Sequence, residues 1–383
     1  MATFIEVHGR ALHVRVDGPP GAPALLLLHS LGSSLHIWDA QVEGLAAGFR
    51  IVRFDMRGHG ASEVGAEPTT IDDLAADALG VLDALGIARA HVAGVSIGGM
   101  IAQALAARAP DRALSLILVD TALAIPPPQM WIDRAAQVRA HGVASVADAS
   151  LARWVSADYL ASPAGRGLRQ MMLRTPAEGY AQAAEALARA DLGATTRQLR
   201  VPTLVIVGEH DPSTPLAAAE ALRDAIPGAR LVVIAGALHV PMLDHADETT
   251  AAIRGFLAPP AASWAEAGAR VRAEVLGADH VVRATAAITD LDRDFQAYIT
   301  QAAWGGVWAR PHFDRRTRSI VTLAILAALG RDHELALHIR AMRHTGASDD
   351  DLGELLLHVA VYAGVPAANT ALRIAKQIAE EAR

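Results

Sequence analysis

The sequence predicts an α/β fold with an open, largely parallel sheet, followed by a separate all-α domain. Short apolar runs alternate with helical patterns over residues 1–258, which is the rhythm of successive β-α-β units. A Pro- and Ala-rich linker at 259–264 ends this rhythm, and residues 265–383 show helical patterns only. A length of 383 residues also favours two domains over one.

The predicted strands are continuous apolar runs, as expected where both faces of a parallel sheet are covered. The N-terminus alternates like a further strand, and helical patterns at 71–85 and 216–225 separate later strands. Residues 122–195 are helical throughout and predict a lid over the C-terminal edge of the sheet, where ligands bind in such folds. The predicted strands lie at 25–28, 51–54, 91–93, 114–119, 203–207 and 231–234.

The C-terminal 120 residues read as a domain of their own because their apolar positions follow a helical period. Ser348 precedes three aspartates and has the signature of a helix N-cap with acidic residues in the first turn. The predicted helices lie at 265–277, 290–304, 315–330, 332–345, 349–363 and 366–382.

Composition excludes several classes of function. A formal net charge of −7 gives no reason to expect nucleic acid or an anionic membrane as partner. The chain has no cysteine, which excludes disulfides, thiolate metal sites and a catalytic thiol. The N-terminus lacks a signal-peptide core, and no apolar run reaches the roughly 18 residues of a membrane span. We therefore expect a cytoplasmic protein.

Ser96 is the candidate nucleophile. It lies in Gly94-Val95-Ser96-Ile97-Gly98, between an apolar strand pattern and a helical one. Glycines on both sides permit the strained strand-to-helix turn that lifts a serine hydroxyl above the sheet edge. The context therefore predicts a nucleophile elbow.

A nucleophilic serine needs a base and an acid that orients the base. Asp211 follows one predicted strand and His239 follows the last, so the order is Ser, Asp, His. We predict that His239 is the base and Asp211 its partner. Asp120, which follows the strand at 114–119, is the alternative acid.

The oxyanion hole needs two backbone N–H groups aimed at the developing charge. We expect one from Ile97, directly after the nucleophile, and one from Leu31 in the loop after a buried strand. The segment 54–60 is expected to brace these loops from beneath.

Five motifs of the first 258 residues belong together: HSLGSS, RFDMRGHGAS, GVSIGGMIAQ, GEHDPSTP and GALHVPMLD. On these motifs, residues 1–258 resemble the α/β-hydrolases and, among them, the 3-oxoadipate enol-lactonases. Cofactor-free haloperoxidases and esterases share most of the motifs, which therefore indicate the fold better than the substrate. The resemblance implies a lid that binds the substrate carboxylate, with Trp131 and Arg134 as candidates; the alternative for Arg134 is a solvated helix arginine.

Polar residues recur along apolar helices in the C-terminal half. Glu334 and His338 are four residues apart, and Glu354, His358 and Tyr362 continue the same spacing, so each set lies along one helix face. This pattern is typical of a lined cavity between helices, and the alternative is a structural polar network.

Residues 270–383 resemble the 4-carboxymuconolactone decarboxylases. The absence of cysteine excludes the related peroxidases, which use a Cys-x-x-Cys helix. The preferred roles are His338 as acid, Glu334 as its partner and His358 as electrophilic donor or alternative acid. Carboxylates would be held by arginines, with Arg316 and Arg340 chosen from a set that also holds Arg310, Arg315 and Arg318.

The two resemblances together imply a bifunctional enzyme of protocatechuate breakdown, since the product of the decarboxylase is the substrate of the lactonase. Electrons released with CO2 can delocalise through a C=C bond into the lactone carbonyl, so the chemistry needs no cofactor and no metal. The expected partners are small lactone carboxylates and further copies of the chain, because relatives of the helical domain form rings. The alternative is a hydrolase of another ester or lactone with a non-catalytic helical oligomerisation domain.

Overall fold

The computed structural model describes residues 2–66, 68–257 and 264–381. The chain divides into two compact units, Met1–Leu257 and Ala258–Arg383. The predicted linker at 259–264 lies outside the described residues except for Trp264, which begins a helix. Within the described ranges, no helix combines the length and the apolar character that crossing a membrane requires.

One eight-stranded sheet forms the centre of the first unit. Its strand order is β1-β2-β4-β3-β5-β6-β7-β8; β2 is antiparallel to both neighbours, and the strands from β4 to β8 run parallel to one another. The predicted α/β-hydrolase fold is confirmed. The strands are β1 Ala2–Val7, β2 Arg10–Asp17, β3 Ala24–Leu28, β4 Arg50–Phe54, β5 Ala90–Val95, β6 Ala113–Val119, β7 Thr203–Gly208 and β8 Arg230–Ile234.

The sequence predicted one strand at the N-terminus, and the structure has a hairpin there. His8 and Gly9 both take positive φ angles of 50° and 73°, the left-handed pair that closes a tight hairpin turn. Val7 therefore pairs with Arg10, and β2 carries the chain back to the sheet. The apolar-run criterion missed β2 because its residues alternate between polar and apolar.

Helices cover the sheet and form the predicted lid, which lies between β6 and β7. The lid comprises the six helices between Pro128 and Thr196, in the region where the sequence predicted a lid over 122–195. The helices of the first unit are α1 Asp39–Leu45, α2 Ile71–Ala84, α3 Ile97–Arg108, α4 Pro128–His141, α5 Ala144–Trp154, α6 Ala157–Ala161, α7 Pro163–Leu173, α8 Ala177–Arg189, α9 Gly193–Thr196, α10 Leu216–Ala225, α11 Pro241–Asp244 and α12 Ala246–Leu257.

The register of the parallel strands brings their carboxyl ends to one edge. Val95 is level with Val119, which is level with Ile206, and Gly208 is level with Ile234. The loops that carry Ser96, Asp120, Asp211 and His239 therefore leave the sheet at the same edge, beneath the lid.

The second unit is helical over its described residues. One core centres on α16 to α19, and a second centres on α13 and a nine-residue π-helix, Thr300–Trp308. Its α-helices are α13 Trp264–Leu276, α14 Ala278–Ala286, α15 Arg293–Ile299, α16 Arg315–Ala328, α17 Asp332–Ala341, α18 Asp349–Tyr362 and α19 Val365–Glu381.

Two glycines let α13 approach the π-helix backbone closely. A Cβ on Gly268 would clash with the carbonyl oxygen of Thr300, and a Cβ on Gly305 would clash with that of Trp264. Backbone atoms cannot move aside as a flexible side chain can. The close crossing therefore depends on glycine at both positions, and it places Trp304 and Trp308 in the core between the helices.

We predict that Gly268→Ala lowers the unfolding free energy of the second unit by about 1–3 kcal/mol, because the added methyl overpacks this crossing. The matched control is Gly353→Ala in α18, where a Cβ meets no atom within 4 Å. That change should stabilise the same unit by up to about 1 kcal/mol through helix propensity. Denaturant unfolding of the intact chain measures both, and equal shifts would contradict the prediction.

Candidate active sites

Ser96 occupies a left-handed turn between β5 and α3, with φ 56° and ψ −120°. Its N–H donates to the carbonyl of Val119 at 3.0 Å, and the Thr121 hydroxyl donates to its carbonyl at 2.7 Å. A Cβ on Gly94 or on Gly98 would clash with neighbouring backbone carbonyls. Glycine is therefore required at both positions because other backbone atoms lie so close. The turn at Ser96 has the strained strand-to-helix backbone of a nucleophile elbow.

His239 and Asp211, the predicted base and acid, are hydrogen-bonded to each other. The Nδ1 of His239 lies 2.8 Å from the Oδ2 of Asp211, and both residues are buried. Asp211 also accepts hydrogen bonds from the N–H of Ser213 at 2.7 Å and from the hydroxyl of Thr214 at 2.6 Å. The structure thus pairs His239 with Asp211 and not with the alternative acid, Asp120.

The environment of Asp211 favours its ionised form. Burial alone would raise its pKa, but the positive charge on His239 and the hydrogen bonds from His239, Thr214 and Ser213 outweigh burial and hold the pKa well below the usual aspartate range. Asp211 is therefore a fixed negative charge that orients the imidazole and stabilises its protonated form.

The predicted oxyanion donors, Leu31 and Ile97, have free backbone N–H groups. Within the described residues, neither N–H donates to a protein acceptor. Ile97 is the first residue of α3, so the positive end of the helix dipole adds to its N–H. Ser96 and Leu31 line the same cavity, as an oxyanion hole requires.

Two buried histidines hold the loop that carries Leu31. The Nε2 of His59 accepts the N–H of Gly32 at 3.1 Å, and the Nε2 of His29 accepts the N–H of Met56 at 2.9 Å. Burial and the nearby His29 lower the pKa of His59 to about 3, so this acceptor stays neutral. The segment 54–60 therefore braces the oxyanion loop, as the sequence predicted.

The lid closes a cavity of about 300 Å³ over Ser96 and His239. Trp131 and Arg134, the predicted substrate residues, both line it, and the Arg134 guanidinium lies 5.0 Å from the centre of the Trp131 ring. Sequence reasoning missed three further polar residues that the lid contributes to its wall. These are Ser150, Arg153 and Tyr180.

Arg134 and Arg153 give the cavity a positive charge. Neither guanidinium has a carboxylate partner in the described part of the chain, and both are half-buried. Burial, together with the charge of Arg134, lowers the pKa of Arg153. Two cations without carboxylate partners are suited to an anionic ligand.

Arg153 also contacts the catalytic base through its backbone. Its carbonyl accepts the N–H of His239 at 3.1 Å, and the carbonyl of Trp154 accepts the N–H of Val240 at 2.9 Å. The C-terminal end of α5 therefore fixes the loop that carries His239.

Within the described residues, one group of acidic and histidine side chains is close enough to share a metal ion. It consists of Asp120, Asp211 and His239, whose ligand atoms lie within 4.8 Å of one another. The Oδ2 of Asp211 and the Nδ1 of His239 are already hydrogen-bonded to each other. This hydrogen bond between Asp211 and His239 is the arrangement of a serine-hydrolase triad rather than of a metal site.

His338 is the best-defined candidate of the second unit. Its ring stacks against Trp304 and Trp308, with centroid distances of 6.2 and 6.0 Å and interplanar angles of 14° and 19°. Burial lowers its pKa, and the charge of Glu334 only partly opposes this. The imidazole is therefore neutral near pH 7. Both tryptophans belong to the π-helix, a distortion that is frequent at functional sites.

The other predicted residues of this unit are not gathered around His338. Glu334 and His358 are exposed, and His358 stacks on the exposed Tyr362 at 6.3 Å. Arg316 pairs with Asp351, with Nε 2.9 Å from Oδ2, and Arg340 pairs with Glu381 at 2.7 Å. The expected free guanidinium groups are thus already paired, because acidic residues at the start of α18 and the end of α19 reach them.

A different set of arginines surrounds the C-terminal end of the π-helix and the start of α16. Arg315 donates to the carbonyl of Trp308, and Arg318 donates to the carbonyl of Arg310 at 2.7 Å. Burial and the charges of Arg315 and Arg310 lower the pKa of Arg318, whose buried Nε lacks a partner. Neither Arg310 nor Arg318 forms an ion pair with a described carboxylate. This arginine cluster consists of Arg310, Arg315 and Arg318.

The comparisons with known proteins match the two units separately. The α/β-hydrolase fold family matches residues 23–246, and the carboxymuconolactone decarboxylase family matches residues 293–377. The chain is 35% identical over 251 residues to 3-oxoadipate enol-lactonase 1 of Acinetobacter baylyi, covering 65% of this chain and 94% of that protein. It is 49% identical over 111 residues to the 4-carboxymuconolactone decarboxylase of the same organism, covering 29% of this chain and 83% of that protein.

A solved structure supports the first match. The enol-lactonase from Burkholderia xenovorans LB400 is similar with a TM-score of 0.66 and 41% identity, over 67% of this chain and all of that one. The chain therefore belongs to the α/β-hydrolase fold family over its first unit and to the carboxymuconolactone decarboxylase family over its second. The expectation of a hydrolase region fused to a decarboxylase region is confirmed at the level of families.

We predict that His59→Leu lowers kcat of the hydrolase by about 10- to 100-fold, because the unpaired N–H of Gly32 releases the loop that carries Leu31. The matched control is His91→Leu in β5, which breaks a 2.7 Å hydrogen bond to Ser115 away from the cavity. Steady-state turnover of an aryl ester measures both. A kcat that falls equally in the two variants would contradict the prediction.

Proposed function

We propose that the chain is a bifunctional enzyme that decarboxylates 4-carboxymuconolactone to 3-oxoadipate enol-lactone and then hydrolyses this lactone to 3-oxoadipate. The observation that carries the proposal is the pairing of two regions whose relatives bear the names of these two enzymes. The product of one named reaction is the substrate of the other. Neither region alone supports so specific a reading.

The cavity of the first unit supports an anionic lactone as its substrate. The enol-lactone carries one carboxylate beside a small ring, and a volume of about 300 Å³ lies at the small end of ligand pockets. Arg134 and Arg153 would hold the carboxylate while the lactone carbonyl faces Ser96. Arg134 was the sequence candidate, and Arg153 is the addition from the structure.

Hydrolysis would follow the serine route. The Oγ of Ser96 attacks the lactone carbonyl while His239 takes its proton, and Leu31 and Ile97 stabilise the oxyanion. The ring C–O bond then breaks, and His239 protonates the departing enol oxygen. The enol ketonises, which makes acylation hard to reverse. Water activated by His239 releases 3-oxoadipate from Ser96.

Decarboxylation needs an electron sink, which the substrate supplies. The bond between the ring carbon and the carboxylate breaks, and its electron pair moves through the C=C bond to the lactone carbonyl as a dienolate. Protonation at the carbon next to that carbonyl gives the enol-lactone. The protein has to hold the two carboxylates, stabilise the dienolate oxygen and deliver one proton.

His338 is the proposed proton donor because it lies against Trp304 and Trp308, and the negative charge of a bound carboxylate substrate would favour the protonated imidazole that is otherwise disfavoured by burial. Arg310, Arg315 and Arg318 replace Arg316 and Arg340 as the proposed carboxylate-binding residues, because Arg315 donates to the carbonyl of Trp308 and, among the described residues, Arg310 and Arg318 have no ion-pair partner. Glu334 would raise the proton affinity of His338. No contact in the described residues gives His358 a role.

The second unit also supports the expected self-association. The outer face of α18 exposes apolar residues, with Val361 75% and Tyr362 85% exposed, and Leu291 near α15 is 96% exposed. Exposed apolar faces of this kind are typical of surfaces that bury one another in homo-oligomers. Assembly would be compatible with catalysis and would not by itself favour a non-catalytic unit.

We predict that the wild-type protein, given 4-carboxymuconolactone, releases CO2 and 3-oxoadipate in equal amounts. Ser96→Ala should release CO2 at the wild-type rate and accumulate the enol-lactone, because only the second step needs the serine. His338→Ala should lose CO2 release by about 100-fold or more and still hydrolyse added enol-lactone. Absence of CO2 from the folded wild type would contradict the decarboxylase assignment, and a generic hydrolase would remain.

We predict that Arg153→Met raises KM for the enol-lactone about 10- to 100-fold, since a charge-assisted hydrogen bond contributes about 1.5–3 kcal/mol. Turnover of a neutral aryl ester should change less than about threefold, because the backbone carbonyl that holds His239 remains. The matched control is Arg166→Met on α7 of the lid, an exposed arginine outside the cavity. Equal losses on charged and neutral substrates would show that Arg153 is structural.

A further inference from the structure

Asp120 is a buried carboxyl that the proposed hydrolysis does not use. It follows β6, is 1% exposed and has a left-handed backbone with φ 40°. Its Oδ1 accepts the N–H of Gly208 at 2.8 Å, and its Oδ2 is buried without a hydrogen-bond donor. Burial of a carboxylate oxygen without a hydrogen-bond donor costs free energy, so this environment disfavours the ionised form of Asp120.

The carboxyl of Asp120 lies beside that of Asp211. Oxygen atoms of the two groups and a ring nitrogen of His239 fall within 4.8 Å of one another. Two buried carboxyls this close repel each other when both are ionised, and a proton on one of them relieves the repulsion. The charged or titratable groups that act on Asp120 are therefore Asp211 and, beyond it, His239.

The hydrogen-bond donors decide which carboxyl is protonated. Asp211 accepts hydrogen bonds from the ring of His239, the hydroxyl of Thr214 and the N–H of Ser213, and all three favour the ionised form of Asp211. Among the described residues, the hydrogen-bond donor to Asp120 is the N–H of Gly208 alone. Burial and the charge of Asp211 accordingly raise the pKa of Asp120 well above the usual aspartate value.

We propose that Asp120 is protonated at working pH and donates a hydrogen bond from Oδ2 to the carboxylate of Asp211, which makes it a positioning residue for the acid of the triad. The proposal rests on the Ser96, His239 and Asp211 assignment of the proposed function, but not on the lactone substrate. One proton thereby gives the buried Oδ2 a partner and leaves a single negative charge next to His239.

This role defines two contrasting variants. Asparagine has nearly the shape of a protonated aspartate and offers an N–H in place of the O–H, so Asp120→Asn retains the donor. Leucine has a similar size and offers no donor. We expect the rate at which a fluorophosphonate labels Ser96 to stay within about threefold of wild type in Asp120→Asn and to fall at least tenfold in Asp120→Leu. Labelling reports on the triad whatever the natural substrate is.

Two further measurements test the proton itself. The infrared difference spectrum of wild type minus Asp120→Asn at neutral pH should contain the carbonyl band of a protonated carboxylic acid. The native state binds a proton on Asp120 that the unfolded chain releases above a pKa of about 3.9, so the contribution of Asp120 to the stability of the wild type falls as pH rises above that value. The stability of Asp120→Asn relative to wild type should therefore increase from about pH 4 to pH 7.

Each outcome decides the proposal. A missing carboxylic acid band, or a stability difference that does not grow with pH, would show that Asp120 is ionised and overturn it. Equal labelling rates in the two variants, whether both high or both low, would also overturn it. If Asp120→Leu does not fold, the infrared and stability measurements on Asp120→Asn still decide. Failure of the intact enzyme on enol-lactone with normal labelling would affect only the proposed substrate.

Discussion

A left-handed backbone at Ser96 costs free energy because the serine Cβ crowds its own main chain, and the first active site depends on the contacts that hold this conformation. The N–H of Ser96 bonds to the end of β6, and the Thr121 hydroxyl bonds to its carbonyl. Gly94 and Gly98 leave room for the sharp return of the chain. The turn also makes Ile97 the first residue of α3, so one constraint places both the nucleophile and an oxyanion donor.

The remaining parts of the site converge on this turn because parallel strands end at one edge. β7 delivers Asp211 and the loop after β8 delivers His239, which are joined by a 2.8 Å hydrogen bond. The loop after β3 delivers Leu31 and is held in place by the neutral His59. These groups come from distant parts of the sequence. The register of the parallel strands brings them to one edge of the sheet and thereby positions them relative to one another.

The sequence predicted the parts of the fold that local patterns determine. Apolar runs located the buried strands, and glycine spacing located the elbow. Arg153 was missed because half-buried and solvated helix arginines have the same local pattern, and only the lid's packing distinguishes them. The arginines of the second unit were misjudged for a related reason: Asp351 and Glu381, which pair with Arg316 and Arg340, are 35 and 41 residues away. The stacking of Trp304 and Trp308 on His338 depends on a π-helix, which helical periodicity alone does not reveal.

Arg153 links ligand charge to the position of the base. Its side chain faces a second unpaired cation across the cavity, and their repulsion, added to burial, lowers its pKa. A carboxylate between Arg134 and Arg153 would relieve that repulsion, so the free energy gained is greater than for either arginine alone. The same residue holds the backbone of His239 through its carbonyl. In the proposed reaction, a charged substrate would therefore bind next to the backbone that holds His239, whereas a neutral ester would leave the repulsion in place.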